Sequence, residues 1–181
     1  MENFKTQIME KVAVKDLTNF LTLSLAAVFL PYYIHSQWIT GPIVNAILIL
    51  LLFLVGARSA LLVCLIPSIM ALSSGLLPAI LAPAVPFIMM GNVILVLTVE
   101  FVYNYFKSAS WRTTLGFATG VIAGAGLKFL FLFYSVNVIS GLLIKQELAV
   151  KVAQMMSWPQ FATACIGGVI AWVMLRGLKK V

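Results

Sequence analysis

The stretch 116–137 restricts the possible folds of this chain more than any other. Its sequence, GFATGVIAGAGLKFLFLFYSVN, contains a single charged residue, Lys128. About 20 predominantly apolar residues suffice for a helix to cross the hydrocarbon core of a bilayer, so we expect this stretch to lie in a membrane. A charged side chain is costly inside hydrocarbon, and Lys128 should therefore face protein or a cavity instead of lipid.

The remainder of the chain is almost as apolar. Of its 181 residues, 62% are hydrophobic and 9% are charged, whereas soluble domains carry roughly 25% charged residues. The apolar stretch after the first sixteen residues is too long for the core of a cleavable signal peptide, so we expect none. The composition predicts a multi-pass protein of the cell membrane. The net charge of +7 then belongs to the loops, and we expect no nucleic-acid partner.

The alternation of apolar and polar stretches predicts an all-α bundle of six transmembrane helices, which forms one membrane domain over residues 1–181. We place the spans at residues 17–34, 43–55, 59–74, 87–106, 113–138 and 158–178. Residues 1–16 are typical of an interfacial helix on an anionic leaflet or of a frayed terminus. Residues 140–157 fit a surface helix.

Segment 75–86 is apolar but cannot be helical throughout. It contains Pro78, Pro83 and Pro86, and a proline both removes a backbone donor and clashes with the preceding helical turn. In a bilayer the carbonyls freed in this way need other partners. We therefore expect a broken segment that packs against protein.

The basic residues indicate the orientation in the membrane. With six spans, one face collects nine Lys and Arg residues and the other collects two. Because cytoplasmic loops are enriched in Lys and Arg, both termini should lie in the cytoplasm. The nine are Lys5, Lys11, Lys15, Arg58, Lys107, Arg112, Arg176, Lys179 and Lys180, and the two are Lys145 and Lys151.

Small residues at four-residue spacing predict close contacts between helices. In the fifth span, Gly116, Gly120 and Gly124 form such a ladder on the broad face that carries Lys128. We expect each of these ridges to serve internal packing or the docking of a partner protein. The other ridges are Ala164 with Gly168 and Gly167 with Ala171 in the sixth span, and Thr18, Thr22 and Ala26 in the first.

Lys128 is the most informative polar residue. At a rise of 1.5 Å per residue it lies roughly 20 Å along its helix, slightly past the middle of the bilayer, and Glu100 is separated from it by roughly 11 Å of depth. We therefore expect its counter-ion to be a carboxylate or phosphate of a bound ligand. Three alternatives need no ligand: Lys128 is neutral, it bonds free carbonyls of segment 75–86, or it reaches Glu100 through staggered helices.

Further polar and aromatic residues are expected near the outer face. With Lys128 they outline a substrate-binding pocket that opens to the outside, with walls from the fourth to sixth spans and a cover from the loop 35–42. Trp38 and Trp158 equally fit an aromatic belt at the membrane interface, and Asn92 equally fits an amide bonded within the protein. The predicted residues are His35, Gln37, Trp38, Asn92, Asn137, Trp158 and Gln160.

The sequence contains no motif for catalysis. His35 is the only histidine, and Cys64 and Cys165 lack the spacing of metal ligands. No Gly-x-Ser-x-Gly, His-Glu-x-x-His or Walker A motif occurs. We therefore expect neither an enzyme nor a bound metal or cofactor, and the chain should not hydrolyse ATP itself.

The sequence resembles the substrate-binding (S) components of energy-coupling-factor (ECF) vitamin transporters. It does so in the layout of the spans, the loop 35–42, the Pro-rich segment 75–86 and the compact turn Gly56-Ala57-Arg58. The resemblance implies six helices, a vitamin or related micronutrient bound near the outer face, and docking on a membrane scaffold subunit with two ATP-binding subunits. Many family members dock through an Ala-x-x-x-Ala ridge on the first span, where this chain has Thr18, Thr22 and Ala26.

Three functions are compatible with these features. The first is the capture of a small, anionic, vitamin-like molecule for an ATP-driven importer. In that function Lys128 binds the anion, Asn92 and Asn137 supply hydrogen bonds, and Trp38, Trp158 and Gln160 form walls and lid. The second is a self-sufficient channel or facilitator, and the third is a membrane assembly factor without a ligand pocket.

Overall fold

The computed structural model describes residues 2–77, 79–106, 112–142, 150 and 153–180, of which the side chains of 2–13, 80–81, 112, 137 and 139–142 are left undescribed. The helices are α1 (Glu2–Tyr33), α2 (Gln37–Leu54), α3 (Ala57–Val63), α4 (Ile66–Ser73), α5 (Val85–Phe106), α6 (Arg112–Leu142) and α7 (Trp158–Gly177). A short 3-10 helix, Ala79–Ala84, leads into α5. The described residues contain no β-strand, which confirms the all-α prediction.

Five stretches of the described residues are helical, long and apolar enough to cross a membrane: Val14–Tyr33, Gln37–Leu54, Ala82–Phe106, Thr113–Val136 and Ala153–Gly177. By length and composition these helices agree with the prediction of a helical membrane protein. A further apolar stretch, Ala57–Ser73, is shorter and corresponds to the predicted third span, which is divided into α3 and α4. Pro67 explains the break, because proline cannot bond the carbonyl four residues earlier and its ring clashes with that carbonyl.

Two helix boundaries also differ from the sequence prediction. α1 is one continuous helix, so residues 2–16 extend the first span instead of forming a separate interfacial helix. Its 32 residues measure about 48 Å, more than a hydrocarbon core of about 30 Å. α2 begins at Gln37, which leaves only residues 34–36 between helices where the sequence predicts the loop 35–42. The predicted surface helix at 140–157 falls largely outside the described residues.

α2 forms the centre of the bundle. Its residues 46–52 are all buried, although they cover two successive turns and thus every side of the helix. A helix that is apolar all round needs neighbours on all sides. In the described part of the chain, α7 packs along α2, α5 packs along α6, and α6 and α7 connect the two pairs.

The glycine ladder of α6 lies against α5. A Cβ atom at Gly120 would be 3.2 Å from the carbonyl oxygen of Val99, and one at Gly124 would be 3.0 Å from that of Leu95. A Cβ atom at Gly116 would lie 2.7 Å from the side-chain Cβ of Phe106. The ladder therefore serves internal packing, one of the two roles expected for it.

Candidate functional site

The buried amine of Lys128 is the centre of the candidate site. Lys128 lies in the second half of α6 and is 2% exposed. Its Nζ donates hydrogen bonds of 2.8 Å to Oδ1 of Asn45 on α2 and of 2.8 Å to Oδ1 of Asn92 on α5. Both asparagines are buried as well. Three helices therefore meet at one amine inside the bundle.

Small residues let these polar side chains come together. A Cβ atom at Gly91 would lie 3.3 Å from Lys128 Cγ, so the glycine leaves room for the lysine stem against α5. A Cβ atom at Gly167 would lie 2.7 Å from Asn45 Cβ, so α7 packs directly on the turn of α2 that carries Asn45. The positions of the polar groups thus depend on close backbone contacts.

Asn92 also connects the site to the break between α3 and α4. Its Nδ2 donates to the carbonyl oxygen of Cys64 at 3.3 Å, and Cys64 directly follows α3. The last carbonyls of a helix have no partner within it, which is costly in a membrane unless another group bonds them. The Nδ2 group of Asn92 thus bonds a carbonyl at the break between α3 and α4, and its Oδ1 accepts a hydrogen bond from Lys128.

A cavity of about 120 Å³ lies next to Lys128. α1 contributes a residue near its end, α4 contributes residues along its length, and α2, α5 and α7 contribute residues from their first halves. The cavity therefore lies towards one end of the bundle. Its polar lining comes from Gln37, Thr40, Asn45, Ser68, Asn92, Lys128 and Gln160.

Hydrogen bonds and ring contacts connect the helix ends around the cavity. Gln37 Nε2 and Gln160 Nε2 donate to the same acceptor, the Met155 carbonyl oxygen, at 3.3 and 3.1 Å. The rings of Trp38 and Trp158 are in contact, with centroids 5.2 Å apart. These contacts join the first turns of α2 and α7 to the chain that precedes α7.

The structure places the predicted pocket residues in three different situations. Those in the cavity wall are Gln37, Asn92, Lys128 and Gln160. Trp38 and Trp158 are 50% and 62% exposed and do not line the cavity. His35 is exposed too, and its Nε2 donates to the Ser74 carbonyl oxygen at 3.0 Å. The side chain of Asn137 lies outside the described residues.

Two of the three ligand-free alternatives for Lys128 are not realised in the described part of the chain. Glu100 lies in a separate groove on α5 beside Leu97 and Phe101, and no ion pair joins it to Lys128. The partners of Lys128 are side-chain amides and not carbonyls of segment 75–86.

Asn45 is a site residue that sequence reasoning does not identify. It lies inside the apolar run of α2, where a buried amide needs a partner just as Asn92 does. An asparagine within an apolar span is therefore the signal that could have found it.

The surroundings of Lys128 suit an anion. A protonated lysine has three N–H donors, and the two described acceptors are neutral amide oxygens, so no described acidic group neutralises the charge. The Asn45 Nδ2 and the Ser68 hydroxyl line the same cavity and form no hydrogen bond with another described residue. In the part of the chain that the structure describes, the cavity therefore offers an anion the amine of Lys128, the amide of Asn45 and the hydroxyl of Ser68 as donors. Among the described residues, no group of three or more His, Cys, Asp or Glu could hold a metal ion.

The residues expected to dock a partner lie along α1. Thr18 and Thr22 are exposed, and Ala26 is half-buried. The Thr18 hydroxyl donates to the Val14 carbonyl oxygen of its own helix at 2.9 Å. Its polar group is thus satisfied on a helix face that other elements leave uncovered in the described part of the chain.

Comparison with known proteins finds no match: no protein-family model, no curated protein and no solved structure matches this chain.

Proposed function

We propose that this protein is the substrate-binding subunit of an ATP-driven importer and that it captures a small anionic molecule in the cavity beside Lys128. The observation that carries the proposal is the buried amine of Lys128, whose described partners are two neutral amide oxygens. Ionisable groups within membrane helices that line a cavity are typical of substrate or ion sites. The resemblance to the S components of ECF transporters supports the same role and suggests a vitamin or related micronutrient.

In this proposal the chain crosses the plasma membrane six times, with both termini in the cytoplasm. The directions of the helices support an even number of crossings. α2 and α5 both begin beside the cavity, so the chain has to return between Leu54 and Val85. α3 and α4 together provide that return. The nine Lys and Arg residues assigned to the opposite face support its cytoplasmic location.

The importer also needs subunits that hydrolyse ATP, because the sequence contains no Walker A motif. A membrane scaffold subunit with two ATP-binding subunits fills this role in the proposal. The exposed face of α1 with Thr18 and Thr22 is the docking surface, since small residues allow a partner helix to approach closely.

The binding of an anion is tested with the variant Lys128→Met, which removes the charge but keeps an unbranched apolar stem. A hydrogen bond to a charged group contributes about 1.5–3 kcal/mol, so we expect the affinity for the captured anion to fall by about tenfold or more. The ligand is first identified by mass spectrometry of small molecules that co-purify with the wild-type protein. Its affinity is then measured by calorimetry in detergent.

The matched control is Lys179→Met, which removes an exposed lysine near the C-terminus and should leave the affinity unchanged. Size-exclusion chromatography verifies that both variants are folded. An unchanged affinity of folded Lys128→Met would contradict the role of Lys128.

A second experiment distinguishes the importer subunit from a channel or facilitator. The purified chain is reconstituted in liposomes without ATP, and uptake of the co-purified ligand is measured. We expect binding without uptake. Uptake by the chain alone would support the facilitator instead, and a preparation that holds no small molecule would favour an assembly factor.

A further inference from the structure

The size of the cavity limits what it can hold. Its volume is about 120 Å³, and a dry cavity of about 150 Å³ in another protein is known to bind benzene, which has six non-hydrogen atoms. A solute of about six to eight non-hydrogen atoms therefore corresponds to the size of this cavity.

The apolar part of the lining is aliphatic. It includes Val44 of α2, Leu77 beside the end of α4, Ile88 of α5 and Met156 ahead of α7. None of the described lining residues is aromatic. A planar ring would thus find no stacking partner in this wall, whereas a flexible aliphatic chain would find apolar contacts on several sides.

With Lys128 protonated, the described lining of the cavity carries a single positive charge. Lys128 is the only basic residue among the described lining residues, and no acidic residue lines the cavity there. One carboxylate balances this charge, whereas a dianion would leave a second negative charge in a cavity without a partner, which is costly. The free donors of Asn45 and Ser68 can bond the carboxylate oxygens.

We infer, on the basis of the function proposed above, that the substrate is a short aliphatic monocarboxylate. Its carboxylate lies against Lys128 and Asn45, and its hydrocarbon part lies against the aliphatic wall. The substrate class is therefore narrower than that of an anionic micronutrient in general: it excludes phosphorylated compounds, dicarboxylates and flat ring systems.

The test compares five probes on the purified full chain in detergent by calorimetry. Hexanoate is the fitting probe, and hexanamide has the same shape without charge. Hexanedioate carries a second carboxylate, decanoate is longer, and inorganic phosphate replaces the carboxylate. Titration of Lys128→Met in the same detergent corrects for partition of the probes into micelles.

We expect hexanoate to bind, hexanamide to bind about tenfold more weakly or worse because it lacks the charge-assisted hydrogen bond, and the other three probes to bind more weakly than hexanoate. Ser68→Ala retains Lys128 and should lower the affinity for hexanoate by several fold. If Lys128→Met does not fold, the role of the carboxylate is judged from the ratio of the hexanoate and hexanamide affinities of the wild-type protein. Titration of empty micelles then corrects for partition of the probes.

The outcomes separate the substrate class from the function. Tighter binding of hexanedioate or phosphate that depends on Lys128 would overturn the monocarboxylate, and tighter Lys128-dependent binding of decanoate would overturn the short chain. Each of these results would keep an anion-binding subunit. Equal affinities for hexanoate and hexanamide, together with no Lys128-dependent binding of any anion, would overturn both.

Discussion

At the scale of single residues, Asn92 connects Lys128 to the break between α3 and α4. Its amide accepts from Lys128 and donates to the carbonyl of Cys64 at the break between α3 and α4. A leucine at this position would have a similar size, but it would leave a buried amine and a buried carbonyl each with one partner fewer.

We therefore predict that Asn92→Leu lowers the free energy of unfolding by about 1–3 kcal/mol, the cost of leaving buried polar groups without partners. Thermal unfolding in detergent, followed by tryptophan fluorescence, measures the effect. Asn104→Leu is the matched control, because Asn104 lies on the same helix but is exposed. Equal effects of the two substitutions would mean that the amide of Asn92 adds no stability.

Some of the site can be predicted from sequence, because a polar residue in an apolar span is visible without a structure. Lys128, Asn92 and Gln160 are identified in this way. The contact between Lys128 and Asn45 joins residues 83 positions apart, and it depends on which helices are neighbours. The spacing of residues along one helix does not carry that information, so sequence reasoning considers Glu100 as the partner of Lys128. Asn45 itself could have been found as a polar residue in an apolar span.

At the scale of helices, the contact between α5 and α6 depends on glycines. We predict that Gly120→Leu destabilises the protein by about 1–3 kcal/mol or prevents folding, because extra side-chain volume in a packed contact forces backbones apart. A Cβ atom at Gly120 would lie 3.3 Å from the Cα of Val99, and a backbone atom cannot rotate away. The fraction of monodisperse protein and its melting temperature in detergent measure the effect.

Gly126→Leu provides the control on the same helix. A Cβ atom at Gly126 would have no heavy atom of another part of the structure within 4 Å, so this variant should remain folded and about as stable as the wild type. If Gly120→Leu were as stable as the wild type, folding would not depend on the close contact between α5 and α6 at Gly120.

The helix boundaries illustrate where local sequence signals are sufficient. Residues 2–30 contain neither glycine nor proline, so nothing stops α1 between its charged beginning and its apolar remainder, despite the change in polarity. In contrast, Pro67 divides the third predicted span, although hydropathy is continuous there. Polarity predicts where a helix meets lipid, and the break at Pro67 shows that a proline can divide a stretch of continuous hydropathy.

At the scale of the whole molecule, the number of crossings decides where the termini lie. Six crossings place both termini on one side, and five would place them on opposite sides. We predict that a reporter which fluoresces only in the cytoplasm is active when fused to either end. Activity at one end alone would mean that α3 and α4 do not carry the chain across the membrane.

The contact between the two exposed indole rings of Trp38 and Trp158 has a spectroscopic consequence. Trp38 is the second residue of α2, which carries Asn45, and Trp158 is the first residue of α7, which carries Gln160. At a centroid separation of 5.2 Å the excited states of the two rings couple, and the coupling changes sign and size with the angle between them. Near-ultraviolet circular dichroism of the unlabelled protein therefore reports any rotation of α2 against α7 while the cavity fills.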